Sequence, residues 1–241
     1  ESGNYNGTGI NGINLNYLDS ERGTVASFDG NNDYIDLPDM TIDLSEGFSF
    51  TGWLYWNGIN NHERVFDFGN GDGQNDIFLT RNGTSNKLTL AVYKDGSRVL
   101  VEDADFIEPN DWIHVGVTID ANGSAVIYKN GQVAATGNVN LPIGNITRVN
   151  NRLGRVQSDN YNSFNGKMDE VKFYNSALSQ NEITDSFLES PWKQTVLGSP
   201  AIEGVAWSKD GYFNVEVAGS DIWGTSDEGH FVYQSWSGDG E

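Results

Sequence analysis

Four dipeptides constrain this chain more than any other feature: Asn82-Gly83, Asp95-Gly96, Asn122-Gly123 and Asn130-Gly131. Each sets a residue that tolerates the left-handed backbone region beside a glycine that enters it freely, as a tight type I′ hairpin turn demands. A chain that reverses this often must bury itself through strands. Trp112–Ile119 sets Ile113, Val115, Val117 and Ile119 against His114, Gly116 and Thr118, so one face is buried. The clearest hairpin joins Ala125–Lys129 to Gln132–Thr136 around Asn130-Gly131. Further strands are expected at Val25–Phe28, Tyr34–Leu37, Phe48–Trp56, Arg64–Phe68, Asp76–Arg81 and Lys167–Tyr174. One short helix is expected over Ser179–Leu188, where Ser179 and Glu182 have capping-box spacing. Glycine, at 29 of 241 residues, exceeds its usual share, and 7 Trp, 10 Tyr and 12 Phe can fill a core. The expected fold is all-β, a two-sheet antiparallel jelly-roll sandwich.

Composition shifts at Ser190-Pro191. Residues 1–190 are expected to form the jelly-roll domain and 191–241 a β-rich segment, the front part of a second β-sandwich. In that segment Lys193–Leu197 and Val205–Val217 restart the strand pattern. Its length lies near the lower limit for a self-standing core. The opening Glu1-Ser2-Gly3-Asn4 reads as mid-protein sequence, so an excised fragment is expected.

Acidic residues number 34 and basic residues 14, a formal net charge of −20. That disfavours nucleic acid, whose phosphates need clustered Lys and Arg, and equally an anionic membrane surface. No apolar run approaches the roughly 20 residues of a membrane-spanning helix. Cysteine is absent, which excludes disulfides, thiolate zinc sites and thiol nucleophiles. So negative a surface suits a salty, calcium-containing medium, and an extracellular or cell-surface location is expected.

Four stretches carry a family resemblance. They are Phe28-Asp29-Gly30-Asn31-Asn32-Asp33-Tyr34-Ile35, Phe48-Ser49-Phe50-Thr51-Gly52-Trp53-Leu54, and Trp112–Thr118 followed by Tyr128-Lys129-Asn130-Gly131. The last is Phe164–Val171 with Ala177-Leu178-Ser179-Gln180-Asn181-Glu182-Ile183. In this order they resemble the LamG-like, concanavalin A-like jelly-roll superfamily. The tail from Gly219 to Gly240 resembles the start of a second jelly-roll module of large secreted bacterial proteins. The superfamily hosts lectins, carbohydrate-binding modules, adhesion domains and enzyme accessory domains, so the resemblance implies fold more sharply than function.

Calcium, as a structural ion, is the cofactor expected. Asp29-Gly30-Asn31-Asn32-Asp33 concentrates the hard oxygens that calcium takes, although Asp and Asn also simply form turns. The resemblance implies a ligand set of Asp29, Asp169 and a carbonyl near Gly47.

Catalytic signals are weak. Asp103-Ala104-Asp105-Phe106-Ile107-Glu108 is similar to the Glu-x-Asp-x-x-Glu strand of related glycoside hydrolases, but Asp stands where the nucleophilic Glu would. The three histidines suggest no triad. No catalytic residue is therefore assigned. The leading expectation is non-catalytic, lectin-like carbohydrate binding or adhesion within a secreted multimodular protein. The alternatives are a structural or protein-interaction spacer, or an accessory domain of a polysaccharide-degrading hydrolase or lyase. Planar polar side chains pair with sugar hydroxyls and aromatic rings stack on sugar C–H faces. The candidates are His62 and Arg64 before one strand, then Arg152, Arg155, Asn160, Tyr161 and Asn162 before the closing strand. Arg152 and Arg155 could equally neutralise nearby Asp residues. The expected partner is a glycan or polysaccharide, with neighbouring modules of the same chain as a further possibility. The net charge favours a neutral glycan.

Overall fold

The computed structural model describes residues 6–71, 73–140, 144–157, 163–188, 192–199, 204–209, 212–216 and 228–234. Backbone contacts divide the chain into two units. One is Glu1–Lys129 with Val133–Ala177, and the other is Asn130–Gln132 with Leu178–Glu241. Ser190 and Pro191 lie outside the described residues.

The strands in chain order begin with β1 (Thr8–Ile10), β2 (Asn14–Asp19), β3 (Gly23–Asp29), β4 (Tyr34–Leu37), β5 (Met40–Asp43), β6 (Gly47–Trp56) and β7 (Arg64–Gly69). Next come β8 (Ile77–Arg81), β9 (Leu88–Lys94), β10 (Ser97–Asp103), β11 (Trp112–Asp120), β12 (Ser124–Lys129) and β13 (Gln132–Asn138). Then follow β14 (Asn145–Arg148), β15 (Asn150–Leu153) and β16 (Asn165–Tyr174). One seven-stranded sheet has the order β1-β4-β15-β7-β8-β9-β10, and a second has the order β13-β12-β11-β6-β16-β3-β2. β5 and β14 form a small ribbon. The two large sheets enclose one core, as a jelly-roll sandwich requires.

Period-two alternation builds that core. On β11, Ile113, Val115, Val117 and Ile119 point inward, and on β6 Phe48, Phe50, Leu54 and Trp56 do so. Ile77 and Leu79 of β8, with Leu88, Leu90 and Val92 of β9, answer from the other sheet. β7 breaks the alternation. Val65 and Phe66 are both fully buried, and the register with β8 shifts between Arg64 and Phe66. This bulge returns Asp67 to the outer face while Phe66 and Phe68 stay inside.

The turn chemistry is local. Asp95 and Gly96 have φ of 50° and 76° and close a two-residue hairpin between paired Lys94 and Ser97. Asn130 and Gly131, at 50° and 80°, do the same between β12 and β13. Asn82-Gly83 does not. The chain spans residues 82–87 between β8 and β9, held by the Asn82 amide on the Lys87 carbonyl at 2.9 Å.

In the second unit, α1 (Gln180–Asp185) starts at Ser179 with a complete capping box, the Ser179 amide donating to Glu182 Oε2 at 2.8 Å. Its six residues make the one short helix expected within Ser179–Leu188. β17 (Trp192–Leu197) pairs with β20 (Gly229–Gln234), and β18 (Val205–Lys209) with β19 (Tyr212–Glu216). Gln194 of β17 is buried and ties this unit together, with Nε2 donating to the Thr184 carbonyl at 2.6 Å and Oε1 accepting from the Ala206 amide at 2.7 Å.

Candidate functional site: a concavity on the outer face of one sheet

Paired residues of antiparallel neighbours point to the same face. Register therefore lays Asp36, Arg152, Asp67, Phe78, Ala91 and Leu100 in one row across the outer face of the first sheet. A second row runs Arg64, Thr80, Thr89 and Glu102. Tyr93 and Arg98 are paired beyond them, near the β9–β10 turn. Here a cavity of about 330 Å³ opens, with Phe78, Tyr93, Arg98, Gln157, His62 and Asn82 in its wall. That size lies at the lower end for small-ligand sites.

The floor is tightly bonded. Arg64 Nε donates to Asp67 Oδ2 at 3.1 Å and its Nη1 donates to Thr80 Oγ1 at 2.7 Å. Its guanidinium carbon sits 3.9 Å from the centre of the Phe78 ring, a cation–π contact. Phe78 stacks on Tyr93 with centroids 5.4 Å apart. Gln157 Nε2 donates to Asp67 Oδ1 at 2.7 Å and to Asp76 Oδ1 at 3.2 Å, while its Oε1 accepts from the Gly71 amide at 2.8 Å. Asp76 Oδ2 also accepts from the Gly73 amide at 2.7 Å. Burial pushes the Asp67 carboxyl up, against the charge of Arg64 and the Gln157 bond. Burial and the neighbouring Arg64 charge push His62 down. Burial lowers Arg148 to about 10, with the Asp76 charge opposing. The result is a preorganised wall of planar donors and acceptors around a half-exposed Tyr93.

Of the residues expected from sequence, His62 and Arg64 line this concavity. Arg152 and Arg155 gather instead around Tyr34, with guanidinium carbons 4.7 and 5.7 Å from its ring centre. Arg152 is on β15 rather than in a loop, and its Nη1 donates to the carbonyls of Val156 at 3.0 Å and Gln157 at 3.3 Å. Arg155 Nη1 donates to the Asn32 carbonyl at 3.0 Å. Arg152 therefore holds the backbone beside the site, and Arg155 holds the turn before β4. Asn160, Tyr161 and Asn162 lie outside the described residues. Sequence reasoning does not single out Phe78, Tyr93, Arg98 and Gln157. The signal for the first two is present: Ile77-Phe78-Leu79-Thr80 and Leu90-Ala91-Val92-Tyr93 alternate, which puts both rings on the outward parity.

The second sheet also carries aromatics outward, but the protein's own cations sit over them. Arg22 lies 4.2 Å from the Trp53 ring centre and Lys167 lies 3.9 Å from that of Tyr55. Asp103 and Glu108 do not converge either. Asp103 accepts from the Asp105 amide at 2.9 Å, whereas Glu108 pairs with Lys129 at 2.6 Å.

The residues expected to share calcium do not fit one ion, which corrects that ligand set. Asp29 is opposite Asn165, Asp169 opposite Trp53, and Gly47 opposite Asp120. At the strand rise, Asp169 lies roughly 13 Å along β16 from Asn165, and Gly47 lies roughly 20 Å along β6 from Trp53. Each residue has a local reason instead. Asp29 Oδ1 accepts from the Asn31 amide at 2.8 Å, which holds its carboxyl below the usual range. Gly47 has φ 114°, and a Cβ there would meet the Ile119 carbonyl at 2.4 Å. Asp169 pairs with Arg22 at 2.8 Å. Among the described residues no group of three His, Asp or Glu side chains is placed to hold a metal. Asp169→Ala is expected to lower stability by about 1 to 2 kcal/mol through loss of that half-buried pair. The loss should be the same with and without chelator, read from two melting curves.

The model of the concanavalin A-like lectin/glucanase superfamily matches residues 29–184. No curated protein matches the chain. Among solved structures, one similar fold is Domain 4 of AbnA, an extracellular arabinanase of Geobacillus stearothermophilus, solved with arabinotriose. It is 22% identical with TM-score 0.55, over 77% of this chain and 82% of that one. Another is the CBM40 module of a Ruminococcus gnavus sialidase bound to α2,3-sialyllactose, 18% identical with TM-score 0.51, over 62% of this chain and 93% of that one. The heptameric pentraxin of Limulus polyphemus is 14% identical with TM-score 0.51, over 66% of this chain and 79% of that one. At these identities the likeness is one of fold.

Proposed function

The chain belongs to the concanavalin A-like lectin/glucanase superfamily, and from that premise we propose that its first unit is a non-catalytic glycan-binding module of an extracellular or cell-surface protein. One observation carries the proposal: the outer-face concavity sets the half-exposed Tyr93 ring among planar polar groups fixed by buried bonds. Sugars need this pairing. The ring offers a face to axial C–H groups, and the Asn82 amide and the second lone pair of Gln157 Oε1 offer planar partners to hydroxyls. The solved relatives with bound arabinotriose and sialyllactose support the reading by analogy of fold. The charge of −20 supports an extracellular setting, where salt screens self-repulsion. Calcium has no part in the proposal.

Tyr93→Ala is expected to weaken the best ligand found on a glycan array by about 30-fold, the effect of removing an aromatic anchor worth about 2 kcal/mol. Titration calorimetry on wild type and variant checks this, with circular dichroism to confirm folding. A folded wild-type protein that retains no glycan would favour the spacer role instead.

A further inference from the structure

Among the described residues, most charges around the concavity have an opposite charge at hand. Arg64 answers Asp67 at 3.1 Å, and Arg148 supplies the charge that faces Asp76. Lys87 answers Glu102 at 3.1 Å, and Glu102 also accepts from Asn82 Nδ2 at 2.7 Å and Thr89 Oγ1 at 2.8 Å. Arg98 is exposed and has no carboxylate within ion-pair distance among the described residues. Its one bond there is from Nη1 to the Tyr93 hydroxyl at 3.1 Å. Among the described residues Arg98 thus brings a positive charge with no bonded carboxylate, Glu102 acting on it only from a distance, although the chain carries 34 acidic residues and only 14 basic ones.

That charge is a planar fork with unused N–H donors, set beside the half-exposed Tyr93 ring of the cavity wall. A guanidinium of this kind matches a carboxylate with two parallel hydrogen bonds, and a point charge does not. On the reading that the concavity binds glycan, we infer that its ligand is a sugar bearing a carboxylate, a uronate or sialate ring. The ring lies against Tyr93 and the carboxylate pairs with Arg98. The negative charge of the rest of the protein does not forbid this. Its repulsion is screened beyond roughly 8 Å at physiological salt, and the nearby Asp67 and Glu102 each bond a cation of their own. The neutral glycan expected from net charge alone is thereby replaced by an acidic one.

The experiment compares trigalacturonate with its methyl ester, and α2,3-sialyllactose with lactose, by calorimetry on the whole chain. At least one acid is expected to bind about 10- to 100-fold tighter than its neutral counterpart, the range for a charge-assisted pair. Which acid shows the preference separates a uronate from a sialate. Arg98→Gln should bring the ratio of acid to neutral affinity close to one, whatever it does to the two affinities together, while Arg98→Lys should restore only part of that ratio. Arg98 is exposed, so the melting curve of the variant should match wild type. Equal binding of acid and neutral partner, or an acid preference that survives Arg98→Gln, overturns the inference. The concavity reading still stands in that case if Tyr93→Ala weakens both ligands. Binding indifferent to Tyr93→Ala would refute the concavity itself.

Discussion

Replacing Glu63 with alanine is expected to destabilise the first unit by about 3 to 5 kcal/mol. Glu63 and Arg81 form an ion pair at 2.8 Å with both side chains at 0% exposure. Burial raises the Glu63 carboxyl to about 7, with the Arg81 charge pulling it back. The pair is a brace as well as a pair of charges. Glu63 Oε1 accepts from the Asn165 amide at 3.1 Å, at the start of β16. Arg81 Nη2 donates to the Gly58 carbonyl at 2.9 Å and Nη1 to the Ser85 carbonyl at 3.3 Å. One contact therefore joins the loop before β7, the β8–β9 turn and the closing strand. Removing the carboxylate leaves Arg81 charged, buried and uncompensated, which is the costly half of breaking a buried pair. Urea unfolding gives the loss directly. The double variant Glu63→Leu with Arg81→Met, which removes both charges, should recover most of it. A single variant within about 1 kcal/mol of wild type would show that water reaches the pair.

Phe66→Ala comes next, at about 3 to 5 kcal/mol. Phe66 is fully buried and meets four rings: Phe48 at 5.7 Å, Phe50 at 5.1 Å, Phe68 at 5.2 Å and Phe173 at 5.3 Å. Those partners come from both sheets, so the cavity left behind cannot close by the shift of one strand. Phe66 also adjoins Asp67 at the β7 bulge, and its seat in the core fixes which way Asp67 points. Phe66→Leu, which keeps much of the volume, should cost less than half as much and retain glycan binding. Phe231→Ala, at a residue 55% exposed, serves as the control and should stay within about 0.5 kcal/mol. Thermal unfolding of the three variants separates these outcomes.

The scaffold was legible where physics is local. Alternation marked β11, strands were expected where β6 and β8 lie, the Asp95-Gly96 and Asn130-Gly131 turns form as their dipeptides require, and the Ser179 capping box is complete. Strands β9 and β10 were less visible, because only their shared Asp95-Gly96 turn announced them. The site depended on those strands. Tyr93 and Arg98 meet Phe78 through register across three strands, and register follows from turn lengths that composition does not report. Asn82-Gly83 shows the limit: the same dipeptide chemistry served a longer connection. Arg152 and Arg155 stand out in sequence as scarce cations, yet their donors meet backbone carbonyls on folding. Scarcity of a charge says that it has a task, but only geometry separates bracing a loop from facing a ligand. Asp29 and Asp169 teach the same point, since strands that neighbour one another can still hold two carboxylates far apart along their length.

The central claim is that glycan sits on the outer face of the first sheet, over Tyr93. The most direct test is a titration of isotope-labelled protein with the tightest-binding oligosaccharide, followed through backbone amide shifts. Shifts should concentrate on residues 76–81, 89–94 and 97–102 and on Gln157, while residues of β11 and β12 stay unmoved. Saturating shifts confined to another surface, with residues 89–94 silent, would contradict the claim.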